Sequence, residues 1–296
     1  MPAALQAVLP TLNEALVFAL LALGVYVAFQ WARFPDLTPD GAVVLSASVF
    51  AQCLLHRLPF WASLCLAALA GGCAGLTTAG VNKVLRVPSV VAGLLVSTAL
   101  YSASLLVLGK PNQFLPVEVL FGRSATNDEV TMRSALINIS VVSTATVLLA
   151  LGSRTLYGIR LRAVGENPLL ARDFASSEWF YTFSGLFISN TLVGLSGALF
   201  CMRSYSADVN MGSGMTVTGL AAMVLGRLIA PRTYSPEIMT ACVVAGAIGY
   251  KFIMWGALSA GAPPESFRIL TSLLLVIVFG VARRSDVGLF RKMRWS

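Results

Sequence analysis

Residues 153–178 read SRTLYGIRLRAVGENPLLARDFASSE and form the longest charged and polar interruption in an otherwise apolar chain. The stretch holds four arginines, at positions 154, 160, 162 and 172. Lys and Arg collect on the cytosolic loops of membrane proteins, so this loop is expected in the cytosol. Within it, Asn167 and Pro168 have the form of an N-cap and a first helical residue, which predicts a short helix through about Ala175. Such a helix would offer a cytosolic partner a binding surface; the alternative is a plain basic linker.

The composition around this stretch is that of a membrane protein. Of the 296 residues, 57% are hydrophobic and 11% are charged, and the mean hydropathy is +0.79. Soluble domains carry about 25% charged residues. Several apolar runs approach the roughly 20 residues with which a helix crosses a bilayer. The predicted fold class is therefore all-α and polytopic, since a β-barrel would need alternating apolar segments.

Charge and cysteine usage exclude several other classes of protein. The net charge of +8 indicates basic cytosolic loops, and not nucleic-acid binding, because no basic stripe is interleaved with exposed aromatic residues. The N-terminus has no positive region before its apolar stretch, so we expect a retained span and no cleaved signal peptide. The five cysteines form no CxxC pair and the only histidine is His56, so no metal site, disulfide framework or cofactor is expected.

The apolar segments predict about nine transmembrane helices, two of them short. Placing residues 153–177 in the cytosol puts fourteen of the 21 Lys and Arg residues inside and seven outside. This bias predicts an external N-terminus and a cytosolic tail over 284–296. The segments lie at approximately 12–32, 40–55, 59–81, 88–108, 132–152, 178–202, 214–230, 235–255 and 266–283.

The two short segments share one pattern. RFPDLTPDGAVVLSASVFAQCL at 33–54 and RSYSADVNMGSGMTVTGLAAMVLG at 203–226 each place an Arg and an irregular polar stretch before a short apolar helix. In the first, Thr38 is a candidate N-cap with Pro39 at the first helical position. Interrupted helices arranged in inverted repeats are typical of transporters.

The pattern predicts two repeats of opposite orientation within a single permease domain, 1–296. The broken helices would then enter the membrane from opposite sides. The predicted parts are a first repeat, 12–108; a connector, 132–152; a cytosolic coupling loop, 153–177; and an inverted second repeat, 178–283.

Small residues predict two close helix contacts. One helix carries Ala67, Gly71, Gly75 and Ala79 at four-residue spacing, and a later one carries Ala241, Ala245 and Gly249. Each set forms one face that permits close approach of a neighbouring helix.

No arrangement of residues suggests catalysis. Acidic residues are sparse, and the chain contains no GxxxxGK[ST] phosphate loop, so it does not bind ATP by that device. We therefore expect a protein that is not an enzyme. If ATP drives its activity, another subunit must hydrolyse the nucleotide.

Three stretches resemble bacterial ABC-transporter permeases of the ribose and branched-chain amino acid class. RAVGENPLLARDFA, at 162–175, resembles the cytosolic coupling loop of that family, and PDLTPDGAVVLSASVFA, at 35–51, resembles its (Leu/Phe)-Thr-x-(Asp/Glu)-Gly entry to a core helix. VAGLLVSTALYSASLLVLGKPN, at 91–112, is similar to a subgroup associated with tryptophan, tyrosine or unassigned substrates. The resemblance covers about residues 12–284 and departs from the family's Gly-Ile at Ser176-Ser177.

The resemblance implies a set of partners and a set of site residues. The family acts in the bacterial cytoplasmic (inner) membrane, as a pair of identical or related permeases with two ATPase subunits and an external substrate-binding protein. The residues that would couple to the ATPase are Arg162, Gly165, Glu166, Asn167, Pro168, Ala171 and Arg172. Those matching the broken-helix motif, at the inner end of the pathway, are Asp36, Thr38, Asp40 and Gly41.

Polar side chains within apolar spans are further candidates for the translocation pathway, because they are costly in a membrane. They are Thr77, Thr78, Asn82, Tyr101, Asn190 and Asn210. A path with few charges suits a small neutral or zwitterionic solute, with an amino acid favoured. No acidic residue is expected firmly inside the membrane, which argues against proton-driven transport. A secondary transporter or channel with inverted repeats and no ATPase remains the alternative to an ATP-driven importer.

Overall fold

A computed structural model describes residues 3–121, 127–173, 177–230, 235–261, 263 and 266–284. The predicted all-α class is confirmed, and each of the nine predicted apolar segments falls on a helix. The helices are α1 (Ala3–Tyr26), continued by a π-turn (Val27–Trp31), α2 (Pro39–Leu55), α3 (Phe60–Leu85), α4 (Ser89–Leu108), α5 (Val117–Phe121), α6 (Asn127–Arg154), α7 (Leu156–Glu166), α8 (Leu170–Asp173), α9 (Glu178–Ser204), α10 (Met215–Ile229), α11 (Pro236–Ser259) and α12 (Phe267–Arg284).

Six helices in the described part of the chain are long and apolar enough to cross a membrane. Three more apolar helical stretches are shorter: Pro39–Leu55, Met215–Ile229 and Ile269–Val278. The figure of nine transmembrane helices stays a prediction. The six long stretches are Val8–Trp31, Phe60–Leu85, Ser89–Leu108, Glu129–Arg154, Glu178–Ser204 and Pro236–Ser259.

The middle of the bundle is occupied by α1. It packs against α6, α9, α10 and α11, and its Val17, Leu20 and Leu23 are fully buried. By contrast, α4 and α6 each present many apolar side chains outward, as helices in contact with lipid do. A helix that is apolar all round belongs in the interior of a membrane bundle, and α1 occupies that position.

The predicted small-residue face of α3 lies against α9. Ala67, Gly71, Gly75 and Ala79 are all buried. A Cβ atom at Gly71 would lie 2.4 Å from the carbonyl oxygen of Asn190, and one at Gly75 would lie 2.3 Å from that of Leu186. Only glycine permits this separation of the two helix backbones.

The corresponding prediction for α11 is wrong. Ala241 and Ala245 are exposed, and a Cβ atom at Gly249 would meet nothing within 4 Å. The close contact is made one residue later on the helix, where a Cβ atom at Gly246 would lie 2.3 Å from the backbone nitrogen of Gly226. Four-residue spacing fits two adjacent faces of this helix equally, and only packing against α10 distinguishes them.

Both short helices are preceded by a break that begins at a left-handed residue. After the π-turn, Arg33 has φ 52°, and the chain is non-helical until α2. After α9, Tyr205 has φ 53°, and the chain forms strand β2 (Ser206–Asp208) and a turn before α10. Strand β2 pairs antiparallel with β1 (Asn112–Phe114), a contact that the sequence pattern did not predict because three residues carry no periodicity.

Replacement of Gly75 by Ala tests the contact between α3 and α9. The added methyl group would overlap the carbonyl of Leu186, so we expect a loss of about 1–3 kcal/mol in the free energy of unfolding. The measurement is denaturant or thermal unfolding of the purified protein in detergent.

Gly80→Ala is the matched control, because a Cβ atom at Gly80 of the same helix meets nothing within 4 Å. It should leave stability unchanged or raise it by up to about 1 kcal/mol through helix propensity. Equal effects of the two substitutions would contradict the assigned packing.

Candidate functional site: the docking segment and the two broken helices

The polar stretch that follows α6 is mostly helical. The hydroxyl oxygen of Thr155 accepts a hydrogen bond from the backbone nitrogen of Gly158 at 3.1 Å and caps the start of α7. At the other end, the backbone nitrogen of Asn167 donates to the carbonyl of Ala163 at 2.9 Å. A helix was predicted only after Asn167, so α7 is an element that was not predicted. The N-cap at Thr155 was the signal that could have revealed it.

Asn167 turns the chain from α7 into α8. Its side-chain oxygen accepts a hydrogen bond from the backbone nitrogen of Leu169 at 3.2 Å, and its carbonyl accepts one from Leu170 at 3.1 Å. Asn167 thus has the local role of a helix-starting residue, with Pro168 directly after it. In the described residues, α8 is a single turn in which Ala171 is buried. The predicted end of this helix near Ala175 and the side chain of Arg172 lie outside what the structure describes.

Together, α7, the turn and α8 form what we name the docking segment, residues 156–173. Its inner face packs on the end of the π-turn. A Cβ atom at Gly165 would lie 2.2 Å from the carbonyl oxygen of Trp31, so this residue allows direct backbone contact. The guanidinium of Arg162 lies 5.3 Å from the centre of the Trp31 ring and donates to the carbonyl of Ser153 at 2.8 Å. Burial lowers the pKa of Arg162 below its ordinary value.

The outer tip of the docking segment faces solvent. Leu169 is 66% exposed, and Asn167 and Pro168 are exposed as well. Glu166 lies at the edge of the tip, where its carboxylate pairs with Arg33 at 3.2 Å. The docking segment therefore has an inner face that packs on the bundle and an exposed tip that carries both apolar and polar side chains.

A cleft of about 150 Å³ separates the docking segment from the start of α9. Side chains of both positive and negative charge and several aromatic rings line this cleft. They are formed by Ala32, Arg33, Phe34, Asn82, Leu161, Val164, Gly165, Pro168, Glu178, Trp179, Tyr181 and Thr182.

The first break holds a cluster of fully buried polar side chains. One carboxylate oxygen of Asp36 accepts hydrogen bonds from the backbone nitrogen of Thr38, at 2.8 Å, and from its hydroxyl. The other accepts one from the side-chain amide of Asn190 at 2.8 Å. The Thr38 hydroxyl also lies 2.6 Å from that of Thr78. Thr38 occupies the N-cap position of α2, as predicted, but its side chain makes no capping hydrogen bond to that helix.

The cluster corrects one prediction. An acidic side chain inside the bundle was not expected, yet Asp36 has no exposed surface and contacts α9. This burial could not be predicted, because residues 33–38 lie between two apolar segments and resemble a surface loop. Asp36, Thr38, Thr78 and Asn190, four of the candidates, are thus brought together.

The second break is joined to the first by Asp40. One carboxylate oxygen of Asp40 accepts hydrogen bonds from the backbone nitrogen and the hydroxyl of Thr216, both at 2.7 Å. The other accepts one from the backbone nitrogen of Gly214 at 3.2 Å. Asp40 stands in the first turn of α2 and caps the start of α10, so the two broken helices begin side by side. Gly214 and Thr216 were not among the predicted site residues.

The other pathway candidates lie apart from this cluster. Gly41 is buried against α4, where a Cβ atom would lie 2.8 Å from the carbonyl of Ser97. Asn82 donates to the carbonyl of Val87 at 2.7 Å and closes the turn between α3 and α4. Thr77 and Tyr101 are exposed on the outer faces of α3 and α4, and Asn210 is exposed in the second break.

A third polar cluster, which was not among the predicted site residues, joins α1, α9 and α11. The carboxylate of Glu14 accepts hydrogen bonds from Lys251 at 2.8 Å and from Arg203 at 3.2 Å. The Lys251 ammonium also lies 3.4 Å from the centre of the Phe18 ring. An acidic residue within the first apolar segment was the available signal for Glu14.

Comparison with known proteins agrees with this architecture. The family described as branched-chain amino acid transport system / permease component matches residues 7–279. The chain belongs to this family. It is accordingly the permease component of an ABC transporter and a multi-pass membrane protein.

Two relatives of the permease cover nearly its whole length. It is 27% identical over 273 residues to a tyrosine transport system permease protein of Clostridioides difficile, covering 92% of this chain and 90% of the relative. It is 30% identical over 282 residues to an uncharacterised protein of Rickettsia prowazekii, covering 93% and 98% of the two chains.

Among solved structures, the permease is similar to a metal-chelate type ABC transporter in an inward-facing conformation. The TM-score is 0.56 at 17% identity, with 96% of this chain and 89% of the other covered. At this identity the likeness concerns the fold alone.

Asp40→Ala tests the junction of the broken helices. The substitution removes three hydrogen bonds and leaves the start of α10 uncapped, so we expect a loss of about 1–3 kcal/mol in the free energy of unfolding. Asp40→Asn keeps one acceptor oxygen, so its free energy of unfolding should lie between those of the unaltered protein and of Asp40→Ala. Unfolding in detergent measures both.

Thr98→Ala serves as the control for this pair, because Thr98 is exposed on α4 and its hydroxyl bonds only to its own helix in the described contacts. It should change stability little. An Asp40→Ala protein as stable as the Thr98→Ala protein would show that the carboxylate does not hold α10.

Proposed function

We propose that this permease is the membrane-spanning subunit of an ATP-driven bacterial importer for a small neutral or zwitterionic, amino acid-like solute. In this proposal, two copies of a separate ATPase subunit dock on the cytosolic side and hydrolyse ATP. Two permeases, identical or related, form the translocation unit, and an external binding protein delivers the substrate.

The observation that carries the proposal is the form of the docking segment. A partner that pushes on the membrane domain needs an exposed binding surface on a rigid support. The exposed residues Asn167, Pro168 and Leu169 form this binding surface, and the backbone contact of Gly165 with Trp31 supports it. A plain linker would need neither.

The proposed orientation puts the N-terminus outside and the docking segment and C-terminal tail in the cytosol. The basic residues support it, since the docking segment carries arginines and residues 291–294 read RKMR. With this orientation the turn at His56 and Arg57 and strand β1 face the outside, where a binding protein would meet the permease.

The proposed path runs beside the two broken helices and opens to one side at a time. The inverted repeat is supported by two helices that begin next to each other at Asp40, each after a left-handed residue. Half-helices that meet in this way build the substrate sites of many transporters. Asp36, Thr38, Thr78 and Asn190 would shape the inner end of this path.

The substrate class is supported by one relative and by the chemistry of the chain. The tyrosine transport system permease of Clostridioides difficile covers 92% of this chain in alignment. The polar candidates are mainly hydroxyls and amides, which suit an uncharged or zwitterionic solute.

Replacement of Asn167-Pro168 by Gly-Gly tests ATPase docking. The tip would lose the turn that Asn167 holds, so we expect the ATPase subunit no longer to co-purify with the permease. Thermal unfolding should stay near that of the unaltered protein, because both side chains are exposed.

His56-Arg57→Gly-Gly is the matched control, since this pair forms an exposed turn between α2 and α3 and Arg57 has φ 61°. It should leave co-purification unchanged. Retention of the ATPase by the Asn167-Pro168 variant would refute the docking assignment.

Uptake into proteoliposomes tests substrate class and direction. With the permease, its ATPase and its binding protein present, labelled L-tyrosine should accumulate only when ATP is on the ATPase side, and other neutral amino acids should compete better than nucleosides. Movement away from the ATPase side would overturn import, and stronger competition by nucleosides would overturn the substrate class.

A further inference from the structure

The inner face of the docking segment touches one short stretch of the bundle three times. Gly165 lies against the carbonyl of Trp31, Arg162 covers the ring of the same residue, and Glu166 pairs with Arg33. All three contacts fall at the end of the π-turn or two residues beyond it. The docking segment is therefore held against the residues that follow α1, and we call this stretch, Trp31–Arg33, the exit of α1.

This stretch has an unusual backbone. The π-turn Val27–Trp31 ends the first long helix with hydrogen bonds that span five residues instead of four. Arg33, two residues later, is left-handed with φ 52°, a conformation that costs a non-glycine residue about 1–2 kcal/mol. The Nε atom of Arg33 is buried and has no hydrogen-bond partner in the described part of the chain. The polar contact identified for the Arg33 side chain is the ion pair with Glu166.

From Arg33 the chain leads directly into both broken helices. Asp36, three residues on, is held by Asn190 of α9, and Asp40 caps the start of α10 through Thr216. Asp40, which joins the two broken helices, is seven positions after Arg33 in the sequence. A displacement of Arg33 is therefore transmitted through a short, hydrogen-bonded segment.

The docking segment also packs on the start of α9. The ring of Tyr157 lies 6.1 Å from that of Tyr181 and 6.4 Å from that of Phe180. What distinguishes the contact with the end of the π-turn is that Gly165 brings the two backbones together there. Close-packed contacts transmit displacement. A push on the tip would therefore reach the residues that follow α1 directly.

We propose that Arg33 is a positioning residue through which the docking segment, by way of Glu166 and the π-turn, moves the two broken helices. This inference rests on the proposed ATPase docking and adds the route by which docking acts. Arg33 touches neither the ATPase nor the solute in this assignment.

Hydrogen exchange of the purified permease–ATPase complex in nanodiscs tests the route without knowledge of the substrate. In the unaltered complex, trapping with ATP and vanadate should speed amide exchange in 33–40 and 212–218, because the bonds of Thr38, Gly214 and Thr216 are disturbed. In Arg33→Gln, the ATPase should still co-purify and trap vanadate, but the exchange difference in both stretches should be lost.

Arg154→Gln is the matched control. Arg154 forms an exposed ion pair with Glu237, at 2.6 Å, between α6 and α11, and neither residue belongs to the stretch from Arg33 to Asp40 or bonds to it in the described contacts. It should keep the exchange difference of the unaltered complex. The double variant Arg33→Glu/Glu166→Arg should restore the pairing and, with it, part of the difference.

Several outcomes would overturn the assignment. A full exchange difference in Arg33→Gln would show that the ion pair transmits nothing, and loss of ATPase binding in that variant would make Arg33 a docking residue. If Arg33→Gln fails to fold, absence of any exchange difference in a folded double variant that traps vanadate counts against the route. Failure of the unaltered permease to bind an ATPase would instead refute the proposed function.

Discussion

A helix that begins inside an apolar bundle leaves backbone N–H groups that neither water nor lipid can satisfy. The structure meets this constraint at α10 with the carboxylate of Asp40, which accepts from Gly214 and twice from Thr216. The negative charge also lies where the helix dipole favours it. Because Asp40 belongs to α2, the start of α10 is held by the other broken helix and not by its own flanking residues. The position of one therefore sets the position of the other.

The same constraint applies at the first break, where the distant group belongs to α9. There Asp36 holds the backbone nitrogen of Thr38 just before α2, and Asn190 of α9 holds Asp36. Each broken helix thus begins beside a carboxylate, and each is secured by a group from a distant part of the sequence. This arrangement holds two interrupted backbones in place without charge pairs in the described contacts of either cluster.

Much of this could be predicted from sequence because the decisive signals were local. Continuous apolar runs predicted the helices, and Thr38-Pro39 predicted the start of α2 at the residue where it begins. The contact face of α11 could not be predicted, since four-residue spacing does not say which neighbour a helix meets. The partners of Asp40 could not be predicted either, because its bonds cross 174 and 176 positions of sequence.

The docking segment shows the same limit in another form. Asn167-Pro168 predicted a turn and a short helix, but α7 escaped notice because its sequence is too polar to stand out beside membrane spans. What fixes α7 is burial against Trp31, a residue about 130 positions earlier, where the chain has left its α-helical path. Tertiary contact there adds to the local cap at Thr155.

The buried acid at position 36 bears on how such a protein is driven. An intramembrane carboxyl is the usual sign of proton coupling. Both carboxylate oxygens of Asp36, however, accept hydrogen bonds. Two of the donors, the backbone nitrogen of Thr38 and the side-chain amide nitrogen of Asn190, cannot take up a proton from the Asp36 carboxyl group. The orientation of that amide is set by the carbonyl of Leu186, which accepts from the same nitrogen at 3.2 Å. The carboxylate is therefore engaged in holding the break in place. A structural role accounts for its burial and agrees with membership of a family of ABC permeases, in which proton transfer through this group is not required.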